Sequence, residues 1–216
     1  MLNWPVQLTG NSFFQQMQAT EFLSLMAITN GATAMGKPIM CNGANLACAK
    51  KWLQEYTVNQ HLTASGDDMF LLARLKAQKA SIGFINNPLA IVKSGAQLSL
   101  KEFFHQRLRW ASKTKYYKNK DILAAGAVLT FGNLVVLTAI MLTLINVVTG
   151  WYLLGLWMLK SIPDILLTYK ASRFFSVKVN PAVLMLNIVL YPFYAVFFAL
   201  YSCFSTSYVW KDRKTK

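Results

Sequence analysis

Residues Ile122–Leu159 read ILAAGAVLTFGNLVVLTAIMLTLINVVTGWYLLGLWML, without a single charged side chain. As one helix this run would stretch about 57 Å at 1.5 Å per residue, nearly twice a hydrocarbon core of about 30 Å. It must therefore break, and Thr149-Gly150 is the natural hinge. A second uncharged run, Val179–Trp210, follows. A spanning helix needs about 20 apolar residues, so the spacing predicts helices near 122–148, 151–169 and 181–204. Trp151, Tyr152, Trp157, Tyr201, Tyr208 and Trp210 fall near their ends, where interfacial aromatics collect.

Working outward, the whole chain has 216 residues, 55% hydrophobic and 14% charged, with a net charge of +14. Soluble domains carry about 25% charged residues, and a pure membrane bundle would carry fewer than this chain does. The charges divide it: 1–121 holds 14 basic and 6 acidic residues, and 122–216 holds 8 and 2. Three cysteines without C-x-x-C spacing exclude a disulfide scaffold and argue against a thiolate metal site. The 14 Phe, 9 Tyr and 6 Trp exclude disorder. No cleavable signal opens the sequence, because residues 1–15 lack a basic region followed by an apolar run.

The middle membrane segment carries Lys160, Pro163 and Asp164. Lys160 and Asp164 are four apart and share a helix face, so an internal ion pair is the first reading. A polar lining for a translocating chain, or a helix lying in the interface, are the other readings. The basic clusters set the topology by the positive-inside rule. Three spans put Lys113–Lys120 and Lys170–Lys178 in the cytosol and the basic tail, Lys211–Lys216, outside. If 151–169 only lies in the interface, the tail returns to the cytosol.

The first part reads as α/β. Strands are expected at Val6–Leu8, across Ile39–Ala49 with a break at Asn42-Gly43, at Ser81–Ile85 and at Leu89–Val92, the last two around the Asn86-Asn87-Pro88 turn signal. Helices are expected at Phe13–Ala27, at Asp68–Lys79 and at Ser99–Tyr117. The 68–79 helix places Phe70, Leu71, Leu72 and Leu75 on one side. The last opens with a Ser99/Glu102 capping box.

Eight acids exist in the chain, and Asp67-Asp68 is the single acidic pair. Ser65 and Asp68 fit a helix cap, and acids favour a helix N-terminus. The chemical alternative is a general base, since a carboxylate at a loop–helix junction is exposed enough to reach a hydroxyl and rigid enough to aim at it. In His105-Gln106-Arg107-Leu108-Arg109-Trp110, the side chains of His105, Gln106 and Arg109 fall within about 100° on a helix, opposite Leu100, Phe103, Phe104 and Leu108. A guanidinium beside an amide suits a diphosphate. Lys113, Lys115, Lys118 and Lys120, just after, suit anionic lipid. In Cys41-Asn42-Gly43-Ala44-Asn45, Gly43 and Ala44 would let a ligand approach the backbone, although a plain turn explains them equally.

These three elements, in this order and ahead of transmembrane helices, resemble the C-terminal half of membrane-bound family 2 glycosyltransferases of the cellulose, chitin and hyaluronan synthase type. The five-residue motif Q-(Q/R)-x-R-W is matched in full by Gln106–Trp110, and Gly66-Asp67-Asp68 precedes it at the expected separation. The resemblance covers about residues 1–120. It implies an incomplete GT-A-like domain over 1–121, followed by membrane helices over 122–216. It implies inverting transfer from a nucleotide sugar to a hydroxyl, with Asp68 as base. Asp67, Asn42, Gly43, Gln106, Arg107, Arg109 and Trp110 would line the substrate. Implied partners are a nucleotide sugar, a glycan or lipid-linked acceptor and the lipid bilayer, with no nucleic acid. The implied location is an integral membrane protein of a bacterial inner membrane, its catalytic part cytosolic.

The sequence departs from the family at the nucleotide-binding half: it has no Gly-rich strand–helix entry, and a truncated chain, or one that needs that half in trans, is expected. The family holds a divalent metal, Mg or Mn, on a D-x-D motif, and no D-x-D occurs here. Metal ligands are therefore not expected in this chain, and alone it is expected to lack transfer activity. A non-catalytic membrane subunit that binds nucleotide sugar or polymer is the alternative, and a small transporter the second. Three helices are few for alternating access.

Overall fold

The computed structural model describes residues 1–57, 66–204, 208–210 and 213–215. The chain opens with β1 (Leu2–Asn3) and β2 (Val6–Thr9), then α1 (Phe13–Ala34), β3 (Leu46–Ala47), α2 (Lys50–Thr57) and α3 (Asp67–Ala77). It continues through β4 (Gly83–Phe84), β5 (Val92–Gly95) and α4 (Leu100–Ala111) into the long helices α5 (Lys120–Leu144), α6 (Gly150–Phe174) and α7 (Pro181–Phe204). A short antiparallel ribbon closes it, β6 (Tyr208–Trp210) with β7 (Arg213–Thr215).

The strands are short and mixed. β1 lies antiparallel to β3 and parallel to β4, and β2 runs parallel to β5, with Val6 opposite Val92 and Leu8 opposite Ser94. The expected break at Asn42-Gly43 is present, and of the stretch Ile39–Ala49 only Leu46–Ala47 is extended in a sheet. The rest is turned by local bonds: Asn45 N–H donates to the Asn42 carbonyl, and Ala44 N–H to Asn42 Oδ1, both at 3.0 Å. Such Asx geometry competes with a strand ladder.

Helix α1 outruns its apolar stretch by two turns. Ser12 and Gln15 cap its start reciprocally. The Thr29 and Thr33 hydroxyls bond back to the carbonyls of Leu25 and Thr29 at 2.7 Å, and Asn30 donates to Asn86. Helix α4 is shorter than expected, ending at Ala111 in place of Tyr117, but its Ser99/Glu102 box is present. Helix α5 stops before the expected Thr149-Gly150 hinge. Asn146 takes a left-handed φ of 56°, and Val147 N–H caps the Leu142 carbonyl at 2.9 Å. Asn is one of the few residues that tolerate that conformation at a helix end.

Among the described residues two helices are long and apolar enough to cross a membrane, α5 and the Pro181–Ser202 portion of α7. Helix α6 has the length but carries Lys160 and Asp164, which form an ion pair at 2.8 Å. Its first half is exposed, with Trp151 at 81%. Its last turns are built into the main core, where Ala171 and Phe175 pack with Val6, Leu8, Phe22, Leu23 and Met26. Apolar burial thus runs across the 121/122 boundary, and α1 lies between the strands and helices α6 and α7. The Ser24 and Thr168 hydroxyls share a hydrogen bond of 2.7 Å, and Asn187 donates to the Met17 carbonyl at 2.9 Å. The root of α5 is fixed by Lys76 of α3, whose ammonium donates to Asp121 at 2.7 Å and to the Pro38 carbonyl at 2.6 Å.

Candidate active site

Helix α3 is held from below and open above. Leu71, Leu72 and Leu75 are buried, which fixes the helix, while Asp67 in its first turn is exposed and Asp68 half-buried. The cap differs from the expected Ser65/Asp68 box. The N-cap residue is Gly66, at φ +98°, and no side chain caps the helix; Ser65 lies outside the described residues. Only glycine adopts that φ readily, so Gly66 sets the angle at which the acidic pair leaves the loop.

The Asp68 carboxylate is aimed by two backbone donors. Its Oδ2 accepts from Gly43 N–H at 2.9 Å and its Oδ1 from Met69 N–H at 2.8 Å. The Cys41 thiol donates to the Asp68 carbonyl at 3.1 Å. A Cβ on Gly43 would stand 3.3 Å from Asp68 Oδ2, so the absence of a side chain there lets loop and acid close on each other. Asn42 N–H reaches Asn3 Oδ1 at 3.4 Å, which ties the loop to β1. The Asn42-Gly43 turn and Asp68 therefore form one site, open on the side of the exposed Gly43 and Ala44. Burial first, and the Asp68 charge second, push the Cys41 thiol and the Tyr117 phenol up, so both stay protonated beside the carboxylate. Each carboxylate oxygen has two lone-pair sites, which leaves capacity for an incoming hydroxyl.

The motif helix α4 contributes unevenly. Leu108 is buried against Phe198 of α7, with Phe103 and Phe104 beside it, but Leu100, expected on that side, is 72% exposed. Arg107 is 5% exposed and faces away from the acidic pair: its guanidinium pairs with Glu21 of α1 at 2.5 Å and stacks on the Phe103 and Trp110 rings. Trp110 leans on Phe22 in the main core. Arg109 is half-exposed, and Gln106 Oε1 and His105 Nδ1 are buried atoms without a partner. Among the described residues no hydrogen bond, ion pair or ring contact joins Asp68 to Gln106, Arg109 or Trp110.

The connection between the two elements runs through the segment after the motif. Lys113 N–H donates to the Trp110 carbonyl, and the Lys113 methylenes lie where a Cβ on Gly66 would come within 3.4 Å of them. Phe70 of α3 packs edge-on against Tyr116 and Tyr117. Lys113 is 4% exposed, which corrects the reading of all four lysines as a lipid-facing patch. Sequence reasoning overlooked Cys41, Tyr117 and Glu21 as neighbours of these elements. Glu21 alone carried a signal, since a lone carboxylate between Thr20, Phe22 and Leu23 on a largely apolar helix requires a buried cation.

Among the described residues no three His, Cys, Asp or Glu side chains cluster into a set of ligands for a divalent cation.

No curated protein and no solved structure matches the chain. A family model does, glycosyl transferase family group 2, over residues 4–202. That span takes in the Asn42-Gly43 turn, Asp67-Asp68, the motif helix and all three long helices. The family in general uses a nucleotide-sugar donor and a glycan acceptor. The chain belongs to the glycosyl transferase family group 2 and is an enzyme of the glycosyltransferase class.

Proposed function

We propose that this chain supplies the acceptor side of an inverting transfer from a nucleotide sugar to the hydroxyl of a glycan or lipid-linked acceptor, with Asp68 as the base. The observation that carries this reading is the carboxylate itself, fixed through Gly43 and Met69 at the open end of α3. The acceptor oxygen attacks the anomeric carbon as its proton passes to Asp68. The bond from that carbon to the diphosphate oxygen breaks, and the diphosphate leaves with the electron pair. Arg109, half-exposed one turn ahead of Lys113, is the motif's cation for the departing charge, and its planar fork suits phosphate oxygens. Gln106 and Trp110 shape the same wall, Asn42 and Gly43 offer the turn that meets the acceptor, and Asp67 flanks the base. The divalent metal expected with the family would draw its ligands from outside the residues described here.

The site lies at a membrane surface. Helix α5 leaves from the root at Asp121, and α6 returns to the core through Thr168 and Phe175. A hairpin of this kind puts Lys113–Lys120 and Lys170–Lys178 on one side, which the positive-inside rule assigns to the cytosol; a bacterial inner membrane suits this arrangement. The test is Asp68→Asn in the full-length protein in membranes. Turnover should fall about 10²–10⁴-fold, the range for loss of a general base, with thermal stability unchanged. Transfer at the normal rate refutes the assignment.

A further inference from the structure

Away from Asp68, two heavily buried opposite charges meet at one node. Glu21 and Arg107 have side chains 11% and 5% exposed and meet at 2.5 Å. The guanidinium face is held between the Phe103 and Trp110 rings, at 4.7 and 4.5 Å, and its Nε and Nη1 have no acceptor. Glu21 is thus the one anion that neutralises Arg107 among the described residues. Phe103, on which the guanidinium lies, packs edge-on against Tyr194 of α7 at 6.0 Å. Tyr194 packs against Tyr191 at 5.0 Å, and Lys160 of α6, itself paired with Asp164, lies over the Tyr191 ring at 5.2 Å. Ion pairs and ring contacts therefore lead from α1 through α4 into α7 and α6.

Its place on α4 is what matters. Arg107 adjoins Gln106 and stands two residues before Arg109 and three before Trp110. At 100° per residue, a side chain clamped on the inner face fixes the direction of the others. The aromatic contacts of Phe103 and Phe104 with Tyr194, Phe198 and Tyr201 hold the same helix in place but are non-directional. Only the ion pair has the geometry to choose one rotation of α4.

We propose that Glu21 is a positioning residue of the transfer reaction: by clamping Arg107, it sets the rotation of α4. The idea rests on the function proposed above for α4, and so the test has one arm that needs no turnover. Glu21→Gln keeps shape and a hydrogen bond but loses the charge. In the full-length protein in membranes it should lower kcat about 10–100-fold, the scale of an ångström-sized misplacement of contact groups. Glu21→Asp should recover part of that loss. The charge swap Glu21→Arg with Arg107→Glu should recover part as well. A merely structural role would lower the folded yield and leave the rate per folded molecule alone.

The second arm introduces cysteines at Phe104 and Tyr201, whose rings lie 5.6 Å apart. A short bis-thiol reagent should join them, and Glu21→Gln should slow that joining at least fivefold. An unchanged cross-linking rate overturns the proposal whatever the activity shows, as does a normal kcat in folded Glu21→Gln protein. Slowed cross-linking with an active Asp68→Asn variant would instead leave the clamp standing and remove the proposed base. Should Glu21→Gln not accumulate, Arg107→Lys, which keeps the charge but loses the planar fork that meets Glu21, carries both readouts with the same criteria.

Discussion

Replacing Leu72 by alanine tests whether α3 is the rigid carrier of Asp68. Leu72 is 0% exposed and lies one helical turn below that acid. The substitution removes about three carbons' worth of buried surface, near 2.4 kcal/mol at about 0.8 kcal/mol per group. Its neighbours Leu71 and Leu75 are also buried, at 3% and 0%, so the wall collapses only partly and a cavity term is added. The total should be about 3–4 kcal/mol, within the range for Leu→Ala in close-packed cores. For a chain of this size about 2–4 °C accompanies each kcal/mol, so the unfolding midpoint should drop by about 6–15 °C. Leu89→Ala is the control: its side chain is 95% exposed, and its effect should stay within about 0.5 kcal/mol. Thermal unfolding of purified protein in detergent, followed by tryptophan fluorescence, measures both. A Leu72→Ala midpoint as close to wild type as that of Leu89→Ala would show that α3 is not anchored as described.

Gly66→Ala should cost about 1–3 kcal/mol, because an L residue is strained at φ +98° and its Cβ would meet the Phe70 ring at 3.3 Å; the same unfolding assay checks it, and a neutral result would refute the cap geometry. Alkaline pH should destabilise the fold. Cys41 and Tyr117 are raised from ordinary values of 9.0 and 10.0, so the folded chain binds their protons more tightly than the unfolded chain does. Their contribution is intact below about pH 8 and declines as pH climbs through the unfolded-state values; a midpoint that rises between pH 8.5 and 10.5 would contradict this. Single cysteines at Lys101 and at Phe204 report sidedness to an impermeant maleimide in vesicles. The last turns of α7 pack on α4 through Tyr201 and Phe104, so both should label from the same side. Labelling from opposite sides, as three full crossings require, would sink that reading.

By itself the sequence determined where most of the long helices lie. Uncharged runs are a local property, and two of the three expected membrane helices, α5 and the Pro181–Ser202 portion of α7, are long and apolar enough among the described residues to cross a membrane, whereas the short helix α2 left no such signal. Caps are equally local: Ser99 and Glu102 close their box because the partners are three residues apart. The acidic pair and the five-residue motif could be picked out as chemistry for the same reason, each being complete within a few positions. Strand extent was less readable. The break at Asn42-Gly43 was legible, but the extended part of Ile39–Ala49 shrank to Leu46–Ala47, since two-residue ladders carry almost no periodicity.

Only the tertiary structure decided which of these residues share a site. Gly43 and Asp68 are 25 positions apart, and their contact exists because the Asn42 turn is tied to β1 while α3 is held by its leucines. Nothing in the motif says which of its two arginines faces inward. Arg107 is turned into the protein because Glu21, 86 positions earlier, is carried on the helix packed against it, which leaves Arg109 as the half-exposed cation. A long-range pairing of that kind is fixed by the cost of burying a charge without its partner, and that cost is set only once the chain has closed around it.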